Sequence, residues 1–151
     1  EGAQAGLSWI TVLRKREGYR SAFDHFDYQK IAKYSDKKLE RLIGDENIIR
    51  NRLKIMSVRQ NAIAFIQVQK EWGSFSNFIW HYVDNKPILR LESEVPSSTK
   101  LSERISKDLK RMGFKFVGST IIYAFMQAAG LVNDHSINCF RYEEIQKLHS
   151  G

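Results

Sequence analysis

The spacing of apolar positions is helical nearly from end to end. Across residues 9–23, "WITVLRKREGYRSAF", Trp9, Val12, Leu13 and Tyr19 fall on one face of a helix that Ser8 can cap. Asp27 and Ser35 stand directly before "YQKIAKY" and "DKKLERLIG". Both are side chains that accept bonds from the free amides of a first helical turn. A longer helix is expected over 49–71, where Ile55, Val58, Ala62, Phe65 and Ile66 approximate an apolar stripe, and a shorter one over 74–83. Residues 84–100, "DNKPILRLESEVPSSTK", hold both prolines and read as the longest loop. Two more helices follow over 101–113 and 119–130, each ending on glycine, the residue best suited to stop a helix. No period-two run is long enough to build a sheet, and neither an internal repeat nor an interdomain linker is visible. The pattern predicts an all-α helical bundle forming one domain over residues 1–151.

Composition narrows this further. A chain of 151 residues, 42% hydrophobic with two prolines, can bury a core without cross-links, and 27% charged residues with no low-complexity tract do not describe a disordered chain. The single cysteine rules out an internal disulfide framework and fits a reducing compartment. Apolar runs such as 121–126 are too short to cross a bilayer, and no basic-then-apolar leader precedes them, so a soluble cytoplasmic protein is expected. The net charge of +7 points towards a polyanion, because neutralising phosphates releases counterions. A merely soluble basic protein is the alternative that composition leaves open.

The chemistry concentrates in "KRMGFKFVGSTIIYAFMQAAGLVNDH". A helix ends at Gly113, the turn "FKFVG" follows, and Ser119 can cap a second helix starting at Thr120. Glycine at both ends of a four-residue turn lets the backbone bend sharply and approach a ligand closely. Exposed amides at the second helix's start would bind an anion, with Lys110, Arg111 and Lys115 supplying positive charge around them. This is how a helix-hairpin-helix grips a DNA phosphate, with Val117, Gly118, Ser119 and Thr120 at the contact. Many helical bundles have similar corners.

"EGAQAGLSWITVLRKRE", "IIRNRLKI" and "GFKFVGSTIIYAFMQAAGLVNDH" together resemble the 3-methyladenine DNA glycosylase I family of the helix-hairpin-helix superfamily, bacterial base-excision repair enzymes. The resemblance runs from Glu1 to about Cys139. It implies that Glu1, the acid before the small-residue run, lines a base pocket as the catalytic group, and that Trp9 stacks on the flipped base. An alkylated adenine in DNA is cationic, so an indole face and a carboxylate both favour it over normal adenine. Leu7 would enter the space the base leaves and Gln4 would lie near the opposing strand, because a base must leave the stack before an enzyme can act on it. Arg50, Arg52 and Lys54 would reach the DNA backbone, and Asp134 stays outside the catalytic set.

The family also implies a structural zinc. His135 and Cys139 in "HSINC" lie four apart, which on a helix places both on one side, as two ligands of a tetrahedral site. The remaining cysteine and histidine belong in the family to a segment before the pocket acid, along with a tyrosine and other aromatic residues around the base. That segment is not part of this sequence, so two of four ligands are expected here. His25, His81 and His149 fall in no catalytic arrangement, and the last dozen residues carry no motif.

The resulting expectation is a monomeric, monofunctional glycosylase that excises 3-methyladenine from alkylated double-stranded DNA, working in a bacterial cytoplasm beside the nucleoid. Two alternatives belong to other classes. One is a non-catalytic helix-hairpin-helix module that binds DNA, and the other a helical protein-interaction domain that uses its basic face for an acidic partner.

Overall fold

The computed structural model describes residues 1–90 and 94–148; His149 lies outside the described residues. The first half is built from short helices, α1 (Trp9–Arg14), α2 (Arg16–Ala22), α3 (Tyr28–Ile31) and α4 (Asp36–Ile43). Asp27 accepts from the Gln29 and Lys30 amides, and Ser35 from that of Lys38, so both expected caps are in place. Then comes the long α5 (Arg52–Trp72), followed by α6 (Phe75–His81), α7 (Lys100–Arg111), α8 (Ser119–Ala128) and α9 (Phe140–Leu148). Gly113 and Gly130, at φ 97° and 78°, take the left-handed geometry that ends α7 and α8.

Two apolar clusters hold these elements, and α5 runs through both. Its first half joins Phe23, Ile31, Leu39 and Ile48 through Ile55 and Ala62. Its second half joins Phe78, Ile105, Leu109, Ile122 and Met126 through Ala64 and Val68. Whatever docks on the middle of α5 is therefore referenced to the entire core.

The single helix expected over 9–23 is two. The backbone leaves helical geometry at Lys15 (φ −102°, ψ 6°), whose Nζ donates to the Glu46 carbonyl at 2.5 Å. Beyond the break, α2 presses Gly18 against the backbone of Asn47. Only Tyr19 of the predicted face joins a core cluster; α1 contributes no buried residue, and Trp9 and Leu13 are 48% and 53% exposed. Ser8 stands at the N-cap of α1 without bonding a backbone amide; its hydroxyl pairs with that of Thr11 at 2.7 Å.

The segment read as the longest loop carries a strand. Here β1 (Ile88–Leu89) pairs in parallel with β2 (Val132–Asn133), directly after α8. Two residues are too few to show a period, so this pairing left no alternation to read. The fold remains all-helical apart from this patch.

On α7 the Asp108 carboxylate accepts from Tyr82 Oη at 2.6 Å and pairs with Arg111. The Tyr82 bond first, and Arg111 after it, hold the Asp108 carboxyl below its ordinary value. A carboxyl lowered on folding adds stability that is present above its unfolded pKa, about 4, and lost as pH falls through the folded value. Tyr82→Phe should therefore cost about 1 kcal/mol at pH 6. In melting curves recorded from pH 6 to pH 2, the gap between wild type and variant is expected to close in acid.

Candidate functional site

The small-residue run folds into two successive turns, with the Gln4 amide donating to Glu1 O at 3.0 Å and the Leu7 amide to Gln4 O at 2.7 Å. Gln4 Nε2 closes the second turn on Leu7 O at 2.7 Å. Gly6, at φ 74°, takes a conformation that suits glycine, and Leu7 is half-buried. What fixes the loop is Lys54. Its side chain is buried, and Nζ donates to Ala3 O at 2.8 Å and Ala5 O at 2.6 Å. Burial lowers the pKa of this amine. Lys54 is thus an internal clamp and not the solvent-facing phosphate contact its place in a charge run implied.

The hairpin turn between α7 and α8 is held from two sides. The Asn61 side chain from α5 bonds both backbone groups of Lys115, donating to its carbonyl at 3.1 Å and accepting from its amide at 2.8 Å. Ser106 Oγ from α7 donates to Val117 O at 2.6 Å. These restraints keep Phe116 at φ 57°, a left-handed conformation that a bulky residue avoids without support. Ser119 is not the cap of α8. Gly118 occupies that position at φ −60°, which any residue can adopt, and a Cβ there would meet nothing within 4 Å. Glycine here keeps space open in front of the helix and is not needed for the bend.

No side chain caps α8, so the amides of Ser119 and Thr120 belong to a first turn with orphan donors at the positive end of the helix dipole. Lys110 and Lys115 are exposed, whereas Arg111 is engaged by Asp108. The four expected hairpin residues, Val117, Gly118, Ser119 and Thr120, are therefore consecutive at the uncapped start of α8.

Between this hairpin and the N-terminal turns lies a cavity of about 150 Å³ lined by Glu1, Asn61, Phe75, Phe114, Phe116 and Phe125, among others. Oε2 of Glu1 is buried and makes no hydrogen bond. An unpaired buried carboxylate oxygen is costly unless a ligand completes it, and aromatic rings around it supply the flat apolar surface a purine needs. A larger groove of about 650 Å³ runs beside it along α5, from Leu53 to Ile63, but contains no acid. Chemistry, not size, selects the smaller one. Trp9 does not line it; the indole lies on the surface at the start of α1.

Arg50 and Arg52 are exposed and paired, Arg50 with Glu46 at 3.6 Å and Arg52 with both oxygens of Glu40 at 2.9 and 2.5 Å. Such surface pairs are weak enough to exchange for phosphate. Asp134 accepts from Tyr123 at 2.6 Å and Gln127 at 3.0 Å, with Arg90 Nε at 3.4 Å, an arrangement that ties α8 to the strand pair. His135 and Cys139 lie in the turn before α9 and not on a helix as expected, yet Nδ1 and Sγ are 3.5 Å apart. Among the described residues no third His, Cys, Asp or Glu joins them.

Asn61 and Ser106 were invisible as site residues in the sequence, and Lys54 was read only as a backbone contact in a charge run, not as the clamp on Ala3 and Ala5. Asn61 and Lys115 are separated by 54 positions, and no local pattern announces such a bond. Only the aromatic density of 114–125 hinted at the lining.

Comparison with known proteins gives a consistent result. The methyladenine glycosylase family model matches residues 1–142. The chain is 50% identical over 145 residues to DNA-3-methyladenine glycosylase 1 of Escherichia coli, covering 94% of this chain and 78% of that protein. A crystal structure of 3-methyladenine DNA glycosylase I superposes with a TM-score of 0.87 at 48% identity, covering 92% of this chain and 78% of the other. A variant of 3-methyladenine DNA glycosylase I solved in complex with 3-methyladenine gives 0.88 at 35% identity, covering 92% and 76%. Among the described residues no helix is long and apolar enough to cross a membrane.

Proposed function

The chain belongs to the methyladenine glycosylase family, and from that premise we propose that Glu1 and the cavity it enters receive a flipped alkylated adenine while the hairpin before α8 holds the DNA backbone. The activity is hydrolytic excision of 3-methyladenine from alkylated DNA. The observation that carries the assignment of the pocket is the buried, unpartnered Oε2 of Glu1 among phenylalanine rings.

Little chemical force is needed. A 3-methylated adenine in DNA carries a positive charge that is relieved as its glycosidic bond breaks, so the base leaves neutral without a general acid. The bonding electrons go to the base, the sugar becomes electron-poor, and water adds to the sugar carbon that held the base and releases its extra proton to solvent. Glu1 binds the base and contributes negative potential where the sugar turns positive, in surroundings from which water is largely excluded. Water, not a lysine, takes the sugar, so the DNA strand stays intact.

The amides of Ser119 and Thr120, with Lys115 and the exposed Arg50 and Arg52, hold phosphates, and Leu7 fills the gap left in the stack. Gln4 borders the opposing strand. The protein acts as a monomer on chromosomal DNA in the bacterial cytoplasm.

His135 and Cys139 fit half of a zinc site, because Zn–N and Zn–S bonds of about 2.0 and 2.3 Å at a tetrahedral angle place the two donors about 3.5 Å apart. Zinc bound there would fix the turn before α9. The described residues do not complete the set, and no part of the excision reaction runs through it.

The indole of Trp9 lies outside the cavity lining, so it does not stack on the base there. Trp9→Ala should change the preference for methylated over unmethylated duplex less than about twofold, whereas a cation-π contact to the base would cost about 10-fold. Because Trp9 is outside the core, the melting temperature should hold. The check is the ratio of the two dissociation constants. Equal affinity of the wild-type protein for both duplexes would instead favour a DNA-binding module.

A further inference from the structure

Two side chains on one helix hold the two halves of the site. Lys54 and Asn61 are seven residues apart on α5, two turns, and so lie on the same face. Lys54 binds the carbonyls of Ala3 and Ala5, within the loop that starts at Glu1. Asn61 binds Lys115 in the hairpin turn through both backbone groups. Phe116 lies between them, its backbone against Gly2 and its ring 5.8 Å from Lys54 Nζ. Neither the loop nor the turn is helix or strand; these bonds tie both to α5, with Ser106 holding the turn from α7.

We propose that Lys54 and Asn61 are positioning residues that set the distance and angle between the base pocket and the phosphate grip, Lys54 aiming the Glu1 loop and Asn61 placing the hairpin. A side chain there without donors would leave Ala3 O and Ala5 O unpaired beside a cavity, free to drift. Displacing a catalytic carboxylate by an ångström is enough to cost a large factor in rate. The hairpin would keep its own contacts to Ser106, so duplex binding would survive the loss of Lys54. This inference rests on the reading of Glu1 as the pocket acid and the hairpin as the DNA grip.

The test measures two quantities for each variant at a temperature where it is folded. One is the rate of 3-methyladenine release in a single turnover at saturating protein, and the other is the dissociation constant for unmethylated duplex. Lys54→Met is expected to slow release at least 10-fold while changing duplex affinity less than threefold, and Lys54→Arg, which can donate to both carbonyls, to recover most of the rate. Asn61→Ala, which also removes a side chain from the cavity lining, is expected to weaken duplex affinity about fivefold, against less than threefold for Lys54→Met. Should Lys54→Met not fold, Lys54→Gln, which keeps one donor group, should show a smaller rate loss with unchanged duplex affinity. A merely structural role would move both quantities together or neither, and either result overturns the proposal. If wild type releases no base, the functional reading falls with it; if wild type is active and Lys54 variants match it, the positioning role alone falls.

Discussion

Glu1→Gln is expected to slow release of 3-methyladenine by about 100-fold or more, the cost of losing one pre-aligned electrostatic group at a developing charge. The amide has the shape of the carboxylate and fills the same space, so the cavity among Phe75, Phe114, Phe116 and Phe125 should persist. What disappears is the negative charge next to a cationic base and a sugar that becomes positive. With the DNA grip proposed at the α8 amides and Lys115, affinity for unmethylated duplex should stay within about twofold or rise slightly, because a charge of the same sign as DNA has been removed. Single-turnover release and fluorescence anisotropy on the same preparation give both numbers. A parallel fall in both would mean that Glu1 shapes the loop and does not act on the base.

Gly18→Ala should be the most damaging small substitution away from the site. A Cβ at this position would lie 2.1 Å from Asn47 O and 2.8 Å from its carbonyl carbon. Backbone atoms cannot rotate away as a side-chain tip can, and this stretch is pinned. The Asn47 amide donates to Asp45 Oδ1 at 2.8 Å, Lys15 holds Glu46 O, and Ile48 is fully buried next in sequence. Either α2 lifts off, exposing Phe23 and Tyr19, or the 45–48 turn moves and drags Ile48 from the core. Overpacking of this kind costs about 3 kcal/mol, which for a chain of this size lowers the melting temperature by roughly 10 °C. Excision per folded molecule at low temperature should be unaffected. A melting temperature within 2 °C of wild type would show that the turn yields more easily than its hydrogen bonds imply.

What could be read from the sequence was what is decided within a few residues. Asp27 and Ser35 cap helices because their partners lie two or three positions away, and Gly113 and Gly130 end helices by their own backbone. The helix over 9–23 failed because periodicity marks a face without saying what covers it, and nothing in the pattern distinguishes Tyr19, which packs, from Trp9 and Leu13, which do not. Gly18 gave no warning, since its reason is the carbonyl of a residue in another segment. The hairpin was legible as glycine, turn and helix, although the cap belonged to Gly118 and not Ser119.

The pocket was legible only through resemblance. Phe75, Phe114 and Phe125 look like any core aromatics, and Lys54 looks like part of a charged helix start. Its burial becomes intelligible only once the carbonyls of Ala3 and Ala5 are seen above it. Long-range contacts of this kind join parts of the chain whose local propensities are indifferent to one another, and they are where the site is made.

Excision of 3-methyladenine through Glu1 is settled by incubating methylated duplex DNA with wild-type protein and with Glu1→Gln and separating the released bases by chromatography. Wild type should release free 3-methyladenine and leave an intact strand carrying an abasic site, and the variant should give at most a trace of base. Methylated duplex bound by wild type with no base released, or equal release by both proteins, would contradict it.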